Sequence, residues 1–183
     1  MNIVVFPEKR EDFYFKPDNT LVKDGSDFFI PDIVETLSLS AAFVVRIQKA
    51  VKYTSSGFAG RYYNDVAFGC ILYPKNLLKI SSPLSSGLAL ALDHTAYVTE
   101  KFIDKTELSG NVSFCFGKKE FCFATDKEYI EIADQAIEKV SRHCSLKSGD
   151  LIFIELSEMS EINKGEEVSL FYSDILSFNF LIR

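Results

Sequence analysis

Residues 37 to 47, LSLSAAFVVRI, alternate with a period of two: Leu37, Leu39, Ala41, Phe43, Val45 and Ile47 share one face, and Ser38, Ser40, Ala42 and Val44 share the other before Arg46 restores a charge. This is the pattern of a β-strand, with a second face that is small and uncharged in its middle. Further strand patterns, rich in Phe, Val, Ile and Tyr, occupy residues 2–6, 65–73, 96–102, 150–156, 167–172 and 175–182. VSFCF and EFCFA form a pair around the turn at Gly117. Turn residues punctuate them at Lys23–Ser26, Ser81–Pro83, Ser148–Asp150, Asn163–Gly165 and Ser173–Asp174. One helix stands out. Thr125-x-x-Glu128 has capping-box spacing, and Tyr129, Ile132, Ala133, Ala136, Ile137 and Val140 then recur three and four residues apart as one apolar stripe. A shorter helical piece is predicted within 54–63, weakened by Gly57 and Gly60. The pattern predicts a β-rich α+β fold with one substantial helix at about 126–143. No repeat, linker or low-complexity tract divides the chain, so a single domain over 1–183 is expected.

Composition narrows the function classes. With 47% hydrophobic and 25% charged residues the chain is not a disordered one. Its net charge of -6, and the lack of a basic run interleaved with aromatics, argue against nucleic acid as a partner. The apolar stretch at the N-terminus is too short for a signal-peptide core or a membrane span, so a cytoplasmic protein without membrane association is expected. Cys70, Cys115, Cys122 and Cys144 show no CxxC spacing, and the chain has only two histidines; reduced thiols are expected and a zinc site is not. Cys115 and Cys122 flank the hairpin turn, where the pairing register decides whether they meet. The 17 Phe include alternating positions such as Phe13, Phe28, Phe29, Phe114, Phe116, Phe121 and Phe123, more than one sheet core needs, and a homodimer interface would accommodate the remainder.

Several segments resemble, in order, the fumarylacetoacetate hydrolase family, in particular its compact isomerase and hydrolase members. Phe15-Lys16-Pro17-Asp18 with Leu21–Gly25 is similar to the family's Phe-x-Lys-Pro segment. Phe43-Val44-Val45-Arg46-Ile47 resembles the strand after its Glu-x-Glu, and Phe58–Asp65 its Phe-Ala-His-Arg-Tyr-Tyr-Asp-Glu element. Gly149-Asp150-Leu151-Ile152-Phe153 matches the start of Gly-Asp-Leu-Ile-Phe-Thr-Gly-Thr-Pro, and a Gly165 hairpin with Leu176-Ser177-Phe178 resembles the terminal strands. The resemblance implies a mixed β-roll, usually dimeric. It also implies a magnesium, calcium or manganese ion held by three carboxylates, which chelates small diketo or oxo-acids and stabilises the enolate formed during hydrolysis, decarboxylation or tautomerisation.

The same resemblance places that ligand set on residues that cannot supply it. The Glu-x-Glu pair falls on Ser40 and Ala42, and the third carboxylate on Ile71. The lysine of Lys-x-Phe-Asp becomes Leu90 while Asp93 is kept, and Thr-Gly-Thr-Pro becomes Ile154-Glu155-Leu156-Ser157. No acid lies within 37–47 to restore the pair by a one-residue slip; Glu35 is the nearest. Three converging carboxylates repel one another and are costly to desolvate without a cation, so small or apolar replacements are the expected outcome once metal binding is lost. No metal or cofactor is therefore expected. The polar residues left to line a pocket are Lys16, Lys75, Asn76, Asp93, His94 and Glu155, beside Ser40, Ala42, Ile71 and Leu90. Two readings follow. One is a homologue without the metal-dependent hydrolase or isomerase reaction, binding a small oxo-acid metabolite or serving as a partner subunit, in a homodimer or with an active relative. The other is an oxo-acid or diketo-acid hydrolase or isomerase that works without metal through Glu155, His94 and Lys16, with Glu155 and His94 as an acid/base pair. Cys70, next to a former ligand position, reads as a buried thiol because no base is placed to activate it.

Overall fold

The structure is a computed structural model that describes residues 1–8, 12–79, 82–125 and 127–183. Among these, a mixed nine-stranded sheet runs β2 (Tyr14–Lys16), β1 (Ile3–Phe6), β10 (Leu151–Glu155), β4 (Leu37–Arg46), β5 (Asp65–Pro74), β6 (Ala96–Val98) and β3 (Leu21–Val22). β7 (Ile103–Asp104) also pairs with β5, and β11 (Ser160–Ile162) with the N-terminal end of β4. A second, antiparallel sheet has the order β13 (Ile175–Leu181), β12 (Glu167–Tyr172), β8 (Asn111–Phe116) and β9 (Lys119–Ala124). β1 lies parallel to β10, Ile3 opposite Leu151, so the first strand finds its neighbour near the end of the chain. The fold is β-rich α+β with one main helix, as the pattern predicts.

β4 explains why both of its faces avoid charge: from Leu37 to Val45 every residue is buried. Its Leu37–Val45 odd face enters the larger core, where the Phe43 ring meets Phe68 at 5.5 Å and Tyr129 at 5.3 Å. Tyr129 belongs to α4 (Lys127–His143), whose Ala133, Ala136, Ile137 and Val140 complete that core. Aromatic pairs then tie the two sheets together: Tyr97 stacks on Phe180 at 3.8 Å and Phe68 on Tyr172 at 5.9 Å. Many of the phenylalanines are thus used inside, Phe28, Phe114 and Phe116 among them, while Phe29 and Phe58 remain exposed.

The other face of β4, with Ser38, Ser40, Ala42 and Val44, belongs to a second buried cluster with Ile3, Val5, Ile71, Tyr73, Ala96, Val98 and Phe153. α2 (Lys75–Leu78) adds Leu78 to it, and α3 (Pro83–Ala91) runs against β2 and β5. Gly69 lies in the middle of this face because a Cβ there would stand 2.0 Å from the Tyr97 carbonyl oxygen.

Several expectations change in detail. α3 has no counterpart in the sequence reading: PLSSGLALA holds Gly87 and no charged residue, so no amphipathic contrast marks it, and its Pro83, which reads as a turn, occupies the first helical turn. The helical piece in 54–63 shortens to α1 (Ser56–Ala59), and the strand expected over 96–102 stops at Val98. The Gly165 turn does not close a hairpin. With φ +88 it passes the chain from β11 in one sheet to β12 in the other, and β12 pairs with β13 and β8 instead. At the helix start, the Thr125 hydroxyl donates to the Gly110 carbonyl at 2.9 Å, and residue 126 lies outside the described residues. Cys115 faces Glu120 and Cys122 faces Ser113, which sets the two thiols diagonally on one side of the hairpin, both free. No helix among the described residues is long and apolar enough to cross a membrane.

Candidate functional site

Period-two alternation brings residues far apart in sequence onto the second face. Ser40 is directly opposite Ile71, and Ala42 lies between Gly69 of β5 and Glu155 of β10. The three positions at which the resemblance puts cation ligands therefore converge on neighbouring strands, each with 0% exposure. They offer one hydroxyl and two hydrocarbon side chains. Even the hydroxyl is engaged: Ser40 Oγ donates to the Ser157 carbonyl at 2.7 Å, and Ser157 Oγ accepts from the Ala41 amide at 3.1 Å. Among the described residues no group of three His, Cys, Asp or Glu side chains is gathered that could hold a metal ion. A hard divalent cation needs several oxygen ligands, preferably charged, and this donor set does not fit one.

One carboxylate does reach the face. Glu155 Oε1 accepts from the Tyr73 hydroxyl at 2.5 Å, Oε2 accepts from the Glu8 amide at 3.2 Å, and the Tyr73 and Tyr14 hydroxyls are hydrogen-bonded to each other. The chain Tyr14, Tyr73, Glu155 spans β2, β5 and β10. Burial pushes Glu155 up to about 7, against the hydrogen bonds from Tyr73 and the Glu8 amide, which favour its ionised form. Burial also raises both phenols, Tyr73 further through the neighbouring Tyr14 and Glu155. Beside Tyr73, Ser38 Oγ is buried with no hydrogen-bond partner among the described residues.

Lys16 lies on the same side of β2 as Tyr14 and is 2% exposed. Its amine donates to the Leu90 carbonyl at 2.8 Å, and desolvation pulls it down to about 7. The remaining candidates lie elsewhere. His94 is exposed in the left-handed region (φ 57), where its backbone amide donates to the Asn19 carbonyl, and among the described residues no hydrogen bond links it to Glu155. Asp93 accepts from the Asn19 amide group in the same exposed turn. Asn76 holds the preceding loop, donating to the Ile33 carbonyl at 2.9 Å and accepting from the Glu35 amide at 3.2 Å, while the Lys75 amide donates to Thr36. Cys70 is fully buried and burial pushes its thiol up, as an inert thiol requires. The structure thus gathers Ser40, Ala42, Ile71 and Glu155, sets Lys16 with Leu90, and leaves His94 apart. Tyr14 and Tyr73, absent from the sequence candidates, are the additions. Each lies two residues from a named position, Lys16 and Ile71, and extending the alternation by one step finds both.

No family model matches the chain, and no curated protein resembles it in sequence. Solved structures do resemble it in fold. The fumarylpyruvate hydrolase of Pseudomonas aeruginosa, determined with Mn2+ and pyruvate, aligns over 100% of this chain and 89% of its own with TM-score 0.81 and 15% identity. A yeast fumarylacetoacetate hydrolase family protein aligns over 100% and 92%, with TM-score 0.77 and 13% identity. The 5-carboxymethyl-2-hydroxymuconate delta-isomerase of Mycobacterium smegmatis aligns over 99% and 78%, with TM-score 0.77 and 12% identity. The chain has the fold of the fumarylacetoacetate hydrolase family over its full length.

Proposed function

We propose that this protein of fumarylacetoacetate hydrolase fold does not carry out a metal-dependent hydrolase or isomerase reaction, and acts instead as a partner subunit, in a dimer with its own copy or with a catalytically active relative. The observation that carries the reading is the filling of the site: Ser40, Ala42 and Ile71 are each 0% exposed, and the carboxyl of Glu155 is already hydrogen-bonded within the protein. A reaction centre needs an accessible space with convergent polar groups. Glu155 and Lys16, each 2% exposed, do not offer one to an oxo-acid.

Manganese or magnesium at millimolar concentration is expected to leave the melting temperature unchanged, since only a ligand bound to the native state raises it. A substantial rise that Ser40→Ala abolishes would refute the metal-free reading. Analytical ultracentrifugation of the purified chain, alone and mixed with an active relative, tests the subunit role: a mass above that of the 20.7 kDa monomer is expected in at least one sample, and a monomer in both overturns it.

A further inference from the structure

We propose that Glu155 is a proton-binding centre: its carboxyl holds a proton at neutral pH and, through Tyr73 and Tyr14, joins β10, β5 and β2 across the face where the donor set rejects a cation. The inference rests on the reading that no divalent ion binds here, and it answers how a buried carboxyl is tolerated without one.

Geometry carries the argument. Glu155 is 2% exposed, directly opposite Ala42 on the buried face that also holds Ser40, Ile71 and Val44. From β5 it meets Tyr73, and through Tyr73 it meets Tyr14 of β2; from the segment after β1 it meets the Glu8 amide, whose own carboxylate adds repulsion. β4 presents only Ser40 and Ala42. Among the described residues no cation forms an ion pair with Glu155: the amine of Lys16, on the Tyr14 side of β2, is bonded to Leu90, and the described ion pairs involve other groups. A buried carboxylate with no ion-pair partner among the described residues is expensive, and a proton is the smallest charge that neutralises it. In the neutral acid the protonated oxygen donates to the Tyr73 hydroxyl, which turns to donate to Tyr14, while the other oxygen keeps the Glu8 amide. The shift of Glu155 up to about 7 agrees with this assignment.

The sign of the pH dependence follows. The folded state holds this proton up to about pH 7, whereas an unfolded glutamate releases it near its ordinary value of 4.5. The folded state therefore binds more protons between those limits, and stability falls as pH rises from about 5 to 7, above which the Lys16 amine, held near 7, reverses the trend. Denaturant unfolding of the parent and of Glu155→Gln across that range is the test. The parent should lose stability with rising pH, and Glu155→Gln should lose less. Difference infrared spectra of the two proteins at pH 6 should show the carbonyl stretch of a protonated carboxyl in the parent alone, fading as pH rises. If Glu155→Gln does not fold, Tyr73→Phe serves: removing a donor that favours the ionised form should move the fading of that band upward by ~1 pH unit. Equal slopes in parent and Glu155→Gln, or no protonated band in the parent at pH 6, overturn the proposal. Stabilisation by manganese would refute the metal-free reading by a separate signal.

Discussion

Writing the carboxylates back, Ser40→Glu, Ala42→Glu and Ile71→Asp in one chain, will leave the protein largely unfolded at neutral pH in a chelating buffer. All three sites are fully buried, and Glu155 already occupies the same face opposite Ala42. Each added carboxylate meets a desolvation penalty of several kcal/mol, and their mutual repulsion adds to it. Replacing Ile71 also forfeits roughly 1.5 to 3 kcal/mol of apolar burial. Against a total stability of about 5 to 15 kcal/mol, that sum is enough to empty the native state. Manganese should recover part of the loss by binding the folded form, so circular-dichroism melts with chelator and with manganese check both halves. A triple variant as stable as its parent in chelator would show that relief of buried charge does not explain these replacements.

Replacing Lys16 by Met will stabilise the protein at pH 7, by about 2 to 3 kcal/mol. Burial holds the Lys16 amine near 7 instead of 10.5, so keeping this group costs the folded state about 4 kcal/mol at neutral pH. Methionine fills similar space, and the lost hydrogen bond to Leu90 gives back about 1 kcal/mol. The unfolded chain binds more protons than the folded one between pH 7 and 10.5, so the stability of the parent climbs with pH across that window. Urea titrations at pH 7, 8.5 and 10 should show that climb in the parent and a flat profile in Lys16→Met. A destabilised variant at pH 7 would mean that the bond to Leu90 outweighs desolvation.

How much of this was legible in the sequence depends on the length and contrast of each pattern. The β4 alternation, the α4 stripe and the hairpin at Gly117 are long or sharply marked, and the structure follows them. α3 was invisible because its nine residues carry no charge to contrast with its leucines. The three- and two-residue strands β2, β3, β6 and β7 are held by neighbours more than by their own composition. At the site, the convergence of Ser40, Ala42 and Ile71 was implied by the family resemblance, which puts the ligands of one cation at those positions, and the observed register of β4 against β5 sets Ser40 opposite Ile71. The expected association of His94 with Glu155 was not decidable from spacing: 61 residues separate them, and a left-handed turn places His94 in solvent. Tyr73 carries no signal of its own in the sequence: it is one more aromatic in an apolar strand, and only the fold brings its hydroxyl to Glu155.

The parallel pairing of β1 with β10 has a bearing on how the protein is made. The opening strand leaves the ribosome long before its mate at Leu151–Glu155 has been synthesised, and β4 waits for the same strand on one of its edges. Completion of the larger sheet therefore waits until Leu151–Glu155 has been made, and until then β1 and β4 each carry an unpaired, apolar edge.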